Sequence, residues 1–349
     1  MKIAITTVQI PYITGGAEFL AANLKQALLT EGHEAEIITM PFMDQPAALL
    51  ENHIVSSRLM DINNSWGGHI DLCIGLKFPA YFMPHENKVI WALHQHRQAY
   101  DLFNTEYSPL KDDEQGRFYQ KIVKNADNRY LPEAKRIYTI AENVSSRMRK
   151  YNKIESRALY HPCPDMDKFF AGDYEDFILM PSRINMTKRQ KLAIEALAET
   201  RSKIKLVVVG HAESPVLLEE IKTLIKEKKM EDRVEFLDFV SQEEKIRLYS
   251  KAKAVLFIPK DEDYGYITLE AMAAGRPVIT CKDSGGPLEF VLNEKTGCVC
   301  DPDPKKIAEA IDAFANSDSM ARELGTGGRK HLDEMDITWK NVVRELTRA

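Results

Sequence analysis

Short apolar runs alternate with amphipathic stretches of helical period along nearly the whole chain. In the first half, the apolar runs predict strands near 2–8, 34–39, 70–75, 88–93, 136–140 and 156–160. In the second half they predict strands near 177–181, 204–209, 233–237, 254–258, 276–280 and 297–300, each followed by a helix. This alternation is typical of α/β proteins with parallel sheets.

The first predicted helix follows Gly15-Gly16 directly. It is expected to end at Gly32, because glycine commonly terminates a helix. Its apolar residues recur at helical spacing and form one stripe: Leu20, Leu24, Ala27 and Leu28. The Gly-Gly pair is half of a phosphate-binding turn, and a plain turn is the alternative. The full G-x-G-x-x-G with its downstream acid is missing, so a nicotinamide cofactor is poorly supported.

Two sets of six strands predict two doubly wound, Rossmann-like domains. Two prolines within 161–165 break both helices and strands, so we expect an N-terminal domain of residues 1–162 and a C-terminal domain of residues 163–334. The remaining segment, 335–349, has a helical apolar stripe and is expected to pack back onto the N-terminal domain. In open α/β sheets ligands bind beyond the carboxyl ends of the strands, which predicts a site in the cleft between the two domains.

Composition restricts the function classes. The 349 residues suffice for two domains, and a net charge of -5 argues against a nucleic-acid partner. No apolar run approaches the ~20 residues that span a bilayer, and the first is too short for a signal peptide. Five cysteines without disulfide or zinc spacing favour a reduced, cytoplasmic protein. Basic residues between Lys111 and Lys153 form either a solvated helical face or a surface for an anionic acceptor or inner-membrane headgroups.

The most informative segment is 262–275, which follows the predicted strand 254–258. Glu262 and Glu270 stand on either side of Gly265, and Glu270 lies within a helix-forming run. Backbone N–H groups at such a helix start converge on anions, and Gly265 lets a ligand approach the backbone. Carboxylates accept hydrogen bonds from hydroxyls, so the segment suits a ligand with phosphate and vicinal hydroxyls, a nucleotide sugar.

Two cations follow the predicted strand 177–181. Arg183 and Lys188 stand five positions apart, and an arginine fork with a mobile lysine charge suits a diphosphate. The alternatives are ordinary surface charge, and Arg189 in place of Lys188. Taken together with the Glu262–Glu270 segment, the two cations favour the diphosphate interpretation. Since these cations can replace Mg²⁺, we expect neither a metal ion nor another cofactor.

Other strand ends supply further candidates. His94 follows the predicted strand 88–93, where it suits a polar anchor or proton handler, with a structural role as the alternative. His96 is a weaker candidate. Gly210 and Val240 follow two strands of the second half, and their backbones could hold a base.

Together these residues resemble the family 4 retaining glycosyltransferases of the GT-B fold, in which two Rossmann-like domains face each other across a cleft. The features that carry the resemblance are the E-x7-E element Glu262–Glu270, Arg183 with Lys188, the Gly-Gly turn and His94. The likeness covers nearly the whole chain and is strongest between Phe177 and Asp301. The stretches 74–81 and 94–102 also resemble a bacterial polysaccharide-type branch.

The resemblance implies roles for single residues. Glu270 would bind the ribose hydroxyls. Glu262 and the backbone of Asp263, Tyr264, Gly265 and Tyr266 would hold the donor sugar and the distal phosphate.

The remaining implied roles fall on both domains. Arg183 and Lys188 would clamp the diphosphate, His94 would touch the donor sugar near the reacting carbon, and Gly16 would sit near the phosphates. The first domain would bind the acceptor. Arg189 stands where many relatives carry glycine, and Tyr266 stands where an aliphatic residue is common, which affects donor preference more than reaction class.

We therefore predict a metal-independent hexosyltransferase that moves a sugar from a UDP- or GDP-sugar to an acceptor hydroxyl, in polysaccharide or glycan biosynthesis. Retention of anomeric configuration is implied by the resemblance. The acceptor is expected to be a glycan, a lipid-linked molecule or a small molecule. The alternatives are a non-catalytic nucleotide-sugar-binding protein and a UDP-sugar epimerase. A dehydrogenase is least supported, because the dinucleotide fingerprint is incomplete.

Overall fold

The computed structural model describes residues 1–12 and 15–348, and the chain divides into two compact units. The first unit comprises Met1–Pro164 and Thr338–Ala349, and the second comprises Asp165–Ile337. The predicted boundaries after residues 162 and 334 lie two and three residues from these limits. Each unit is an α/β structure with its own parallel sheet, as the alternating pattern predicts.

The strands are β1 (Lys2–Gln9), β2 (Glu34–Pro41), β3 (Asn64–Ser65), β4 (Gly68–His69), β5 (Leu72–Gly75), β6 (Lys88–Ala92), β7 (Arg136–Thr139), β8 (Arg157–Ala158), β9 (Phe177–Met180), β10 (Lys205–Val209), β11 (Val234–Leu237), β12 (Ala254–Leu256), β13 (Val278–Cys281) and β14 (Gly297–Cys300). The helices are α1 (Gly16–Thr30), α2 (Leu49–Leu59), α3 (Glu114–Tyr130), α4 (Glu142–Asn152), α5 (Gln190–Glu199), α6 (Pro215–Glu227), α7 (Gln242–Lys251), α8 (Tyr266–Ala273), α9 (Pro304–Ala315), α10 (Asp318–Glu334) and α11 (Trp339–Thr347).

The sheet of the first unit has the parallel order β2-β1-β5-β6-β7-β8. The direction in which the strand order grows reverses between β1 and β5, which is the switch point of a doubly wound sheet. Hairpin β3–β4 stands apart from this sheet and was not predicted, because two residues a strand are too few to show periodicity. Helix α1 ends as predicted, with Gly32 at φ +81° just after it.

The sheet of the second unit has the parallel order β11-β10-β9-β12-β13-β14, with its switch point between β9 and β12. All residues of β9 and β12 are buried. A parallel sheet covered on both faces produces such continuous apolar strands. The core beneath them is built from buried aliphatic side chains of neighbouring elements, among them Ile178, Ile194, Leu206, Ile221, Ile279 and Ile311.

One predicted element of the second unit is different in the structure. The expected helix after β13 is only a 3₁₀ turn, Gly286–Glu289. Gly285 has a φ of +74° and Pro287 lies within the turn, so a regular helix cannot begin before this point. Phe290 and Val291 are already buried in the core, which leaves only a few residues for helical structure.

Helix α11 packs within the first unit, as the apolar stripe of the tail suggests. The hydroxyl of Tyr138 donates to the carbonyl of Glu345 at 3.2 Å, and the ring of Trp339 meets that of Trp91 edge-on at 6.3 Å. The last residue of the predicted tail, Ala349, lies outside the described residues. Every helix in the described part of the chain is too short or too polar to cross a membrane.

Candidate functional site

The loops that leave the carboxyl ends of β9 and β12 meet at the switch point of the second sheet. The backbone N–H of Lys260 donates to the carbonyl of Thr187 at 2.7 Å, which joins the loop after β12 to the loop after β9. On the other side, the N–H of Glu262 donates to the carbonyl of Ser284 in the loop after β13 at 2.8 Å. The backbone pairing of the sheet thus continues into the loops and fixes the side chains that they carry.

Lys188 and Glu262 form an ion pair across this switch point. Their side chains are 14% and 23% exposed, so the pair is only partly in contact with solvent. The Lys188 ammonium also lies over the ring of Phe257, 5.4 Å from its centre. Asn185 accepts a hydrogen bond from the N–H of Lys188 at 3.1 Å and thereby fixes the turn that presents it. The two residues that the sequence placed 74 positions apart are therefore neighbours.

Arg183 is placed differently from Lys188. Its guanidinium is exposed and pairs with Glu213 at 2.6 Å, beside the loop after β10. Its backbone is held, since the amide of buried Gln190 donates to the carbonyl of Arg183 at 2.9 Å. A Cβ at Gly210 would lie 2.4 Å from the carbonyl oxygen of Ser182, so the loop after β10 passes directly against this backbone. Arg183 and Lys188, which the sequence suggested as a diphosphate clamp, thus pair with two different carboxylates, Glu213 and Glu262.

Gly265 immediately precedes helix α8 and has a conformation that favours glycine. Its φ is +90°, and a Cβ there would lie 2.7 Å from the Phe257 ring. Tyr264 before it is buried, with its ring 5.8 Å from that of Tyr266. The first N–H groups of α8 therefore follow immediately after a close-packed glycine turn, the arrangement that the sequence predicted for binding an anion.

Glu270 lies one turn into α8 and is only 6% exposed. Its carboxylate accepts hydrogen bonds from the Lys245 ammonium at 2.8 Å and from the Tyr249 hydroxyl at 2.6 Å. Sequence reasoning missed both partners, which belong to α7. Their i, i+4 spacing places them on one helix face, but nothing in the sequence shows which carboxylate that face meets.

Asp283 gathers two further cations beside the switch point. Arg189 donates to it through two nitrogens at 2.9 and 2.7 Å, and Lys260 donates at 2.9 Å. Partial burial opposes ionisation of Asp283, but the hydrogen bonds from Arg189 and Lys260 outweigh it and lower its pKa to about 2. Arg189, the alternative to Lys188 as a phosphate clamp, is thus engaged by a carboxylate that the sequence analysis did not single out.

The loops after β10 and β11 carry the remaining candidates of the second unit. His211, which follows Gly210, lies 3.0 Å from the Asp238 carboxylate. Phe239 is 91% exposed, and Val240 after it is half-buried. The loop after β11 therefore presents an exposed aromatic ring directly before Val240.

The candidates of the first unit lie after β1 and β6. Gly16 is the first residue of α1, and the N–H of Gly15 donates to the Glu18 carboxylate at 2.8 Å. His94 is partly exposed, with Nδ1 2.6 Å from the carbonyl of Gln95. His96 is 6% exposed, and burial lowers its pKa to about 3, so it remains a neutral packing residue.

Acidic residues after two strands of the second unit are relevant to the expectation of a metal-free site. That expectation overlooked the two Asp-x-Asp spacings that follow strands, 261–263 after β12 and 301–303 after β14. Among residues 1–12 and 15–348, no group of three or more His, Cys, Asp or Glu side chains is arranged so that it could hold a metal ion.

Comparison with known proteins finds similarity that is concentrated in the second unit. Residues 165–331 match the model of the family described as Glycosyl transferases group 1. Over 170 residues the chain is 33% identical to Alpha-1,3/1,6-mannosyltransferase ALG2 of Homo sapiens. The aligned region covers 45% of this chain and 41% of that protein. The match thus spans about two fifths of the length of this curated relative.

Solved structures extend the likeness to both units. The chain is similar to sucrose-phosphate synthase from Thermosynechococcus elongatus, with a TM-score of 0.79 at 17% identity over 99% of this chain and 97% of that one. HepE of Anabaena, in complex with UDP and glucose, gives a TM-score of 0.72 at 16% identity over 99% and 98%. The fold is that of the GT-B glycosyltransferases, as predicted. The second unit resembles the family described as Glycosyl transferases group 1 over residues 165–331.

Proposed function

We propose that this protein is a glycosyltransferase that moves a hexose from a UDP- or GDP-sugar to an acceptor hydroxyl, with retention of anomeric configuration and without a metal ion. The observation that carries the proposal is the charged switch point of the second sheet. There Lys188 and Glu262 pair at the strand ends, Gly265 caps the start of α8, and Glu270 lies one turn into that helix. A ligand that contains a pyrophosphate and a pentose matches this set of groups.

The proposed chemistry depends on charge that develops during the reaction. When the bond between the anomeric carbon and the nucleotide breaks, its electron pair passes to the β-phosphate oxygen. Lys188, Arg183 and the first N–H groups of α8 would stabilise the negative charge there. Lys188 must exchange its contact with Glu262 for one with phosphate, and the carboxylate of Glu262 is then available for a sugar hydroxyl.

The acceptor step completes the exchange. The acceptor oxygen bonds to the anomeric carbon, and its proton passes to the departing phosphate oxygen on the same face of the sugar. Attack from the face that the nucleotide leaves retains the anomeric configuration. The resemblance to retaining enzymes supports this course, and the stereochemistry of the product measured by NMR tests it. An inverted product would refute retention while leaving sugar transfer intact.

The donor is identified by binding followed by turnover. A thermal-shift panel of UDP-, GDP- and ADP-hexoses should raise the melting temperature for one base, because a ligand that binds the native state stabilises it. A mannosyl donor is tested first, since ALG2 is named as a mannosyltransferase. The selected donor is then incubated with a panel of glycan, lipid-linked and small acceptors. Product that forms equally in EDTA supports the metal-free mechanism, and a strict divalent requirement refutes it.

Two non-transferring alternatives have distinct outcomes in the same assay. A protein that only binds the nucleotide sugar would show the thermal shift without any product across the acceptor panel. An epimerase would convert the sugar of the donor in the absence of an acceptor. Transfer to an acceptor with release of nucleoside diphosphate excludes both.

We further propose that the first unit binds the acceptor and that the protein acts in the cytoplasm, with peripheral contact to anionic lipid headgroups. All five cysteines are free thiols, which suits a reducing compartment. On α3, Arg117 and Phe118 are both more than half exposed and next to each other, a combination that favours anionic membrane surfaces. Co-sedimentation with phosphatidylglycerol vesicles that is unchanged in Arg117→Gln with Phe118→Ser would refute the membrane contact.

A further inference from the structure

Helix α7 presents two side chains to the carboxylate of Glu270, and neither has an assigned role. Tyr249 donates its hydroxyl proton to one carboxylate oxygen at 2.6 Å, and Lys245 donates to the other at 2.8 Å. The two donors are one helical turn apart and hold the two oxygens separately. From this geometry we infer that Tyr249 and Lys245 are positioning residues that orient Glu270 for the two hydroxyls of a ribose.

The hydrogen-bonding capacity of a carboxylate supports this assignment. An ionised carboxylate offers about four acceptor sites, two on each oxygen. The described residues fill one site on Oε1 and one on Oε2 of Glu270. One site on each oxygen is left, which matches the two donors of a vicinal diol.

Burial fixes the tyrosine half of this arrangement. Tyr249 is fully buried, and a buried hydroxyl requires a partner. Its ring stands edge-on to Phe169 at 5.4 Å, and its backbone carbonyl accepts from Arg276 at 3.1 Å. The hydroxyl therefore has a set direction, and the carboxylate that it bonds takes its orientation from the core.

The inference rests on the proposed function, because it needs a nucleotide whose ribose meets Glu270. The test uses calorimetric affinities of the full chain for UDP, GDP and ADP and for their 2′,3′-dideoxy analogues. Tyr249→Phe removes only the hydroxyl, and Lys245→Met removes only the charge. Lys251→Met is the matched control, since Lys251 lies on the same helix but pairs with Glu175 at the surface.

For the nucleotide that the wild type binds, both test variants should lose affinity roughly tenfold, the scale of a misdirected charge-assisted hydrogen bond. For the dideoxy analogue, which has no ribose hydroxyls, the loss should stay below about twofold. Adding Tyr249→Phe to Glu270→Gln should cause no further loss, because the oriented carboxylate is already gone. The control should bind both ligands as the wild type does.

Equal losses for the intact and the dideoxy nucleotide would assign Tyr249 and Lys245 a merely structural role and overturn the inference. Unchanged affinity in both variants would overturn it as well. If the core does not tolerate Tyr249→Phe, the partly exposed Lys245 still decides between these outcomes through Lys245→Met. Failure of the wild type to bind any of the three diphosphates would instead overturn the proposed function, and the inference with it.

Discussion

The switch points of the two sheets share one topology but differ in the groups that surround them. In the second unit, the loops after β9 and β12 bring Lys188 and Glu262 together, with Glu270 close behind in sequence. In the first unit, a Cβ at Gly75 would lie 2.8 Å from the side chain of Tyr81, so the end of β5 is packed against an aromatic turn of its own chain. The same layout offers a place for a ligand in both units, and the side chains decide the chemistry.

The family match follows the same division. Residues 165–331 match the glycosyl transferases group 1 model, and this range contains the whole charged switch point. The contrast would be explained if the second unit binds a type of donor that the family shares, while the first unit binds an acceptor that differs from one protein to the next. Five substitutions test this contrast.

The largest effect is expected from Lys188→Met. Removing a cation that stabilises developing phosphate charge should lower kcat about 10²–10³-fold, the cost of losing one such group in other enzymes. Lys191→Met is the control, because Lys191 follows closely in sequence but forms a surface pair with Glu220. Steady-state kinetics with the identified donor measure both. Near wild-type turnover in Lys188→Met would show that the charge of Lys188 at the second switch point does not contribute to catalysis.

Gly265→Ala should destabilise the fold more than Gly32→Ala of the first unit. Both glycines have positive φ, +90° and +81°, but only the Cβ at Gly265 meets another side chain, Phe257 at 2.7 Å. We expect about 3 kcal/mol for Gly265→Ala, from backbone strain with overpacking, and about 1 kcal/mol for Gly32→Ala, from strain alone. Unfolding in urea measures both. Equal losses would show that the close packing at the start of α8 contributes nothing.

Glu270→Gln should weaken nucleoside diphosphate binding about tenfold, since the neutral amide offers one carbonyl oxygen where the carboxylate offers two. Lys245 and Tyr249 would both remain, so the change is confined to the acceptor group. Calorimetry with the preferred nucleotide gives the affinity. An unchanged dissociation constant would exclude Glu270 from contact with the pentose.

His94→Asn tests the first unit. If His94 acts only in transfer, kcat should fall roughly tenfold, as for the loss of one polar contact, while nucleotide affinity stays at the wild-type value. His96→Asn is a poor substitute, because His96 is buried against Phe78 and its loss would disturb packing. A drop in nucleotide affinity in His94→Asn would contradict the division of roles between the units.

The smallest effect concerns acid stability. The pKa of Asp283 is lowered from 3.8 to about 2, so its stabilisation is complete above pH 3.8 and is lost as the pH falls through about 2. The wild type should therefore have a higher free energy of unfolding than Asp283→Asn above pH 3.8. This difference should decrease as the pH falls towards 2. Urea unfolding at several pH values measures the difference. A difference that stays constant down to pH 2 would show that Arg189 and Lys260 do not depend on the Asp283 charge.

Local patterns in the sequence predicted the fold. Continuous apolar strands, the stop of α1 at Gly32, and the Gly265 turn all depend on neighbouring residues and were readable. The 3₁₀ turn after β13 and hairpin β3–β4 were not, because they lack a full period.

Contacts between distant segments explain the rest. Glu213 occupies Arg183, Asp283 occupies Arg189, and α7 holds Glu270. Each of these contacts depends on how segments that are distant in the sequence meet in the folded unit. A single amino-acid sequence does not show which of their side chains become neighbours.

The central claim is that the second switch point holds the pyrophosphate and pentose of a nucleotide sugar. A crystal structure of the full chain soaked with the nucleoside diphosphate that it binds tests this most directly. We predict phosphate oxygens against Lys188 and the start of α8 at Gly265, with the pentose hydroxyls on Glu270. A well-ordered nucleotide bound elsewhere, with the Lys188–Glu262 pair intact, would contradict the account.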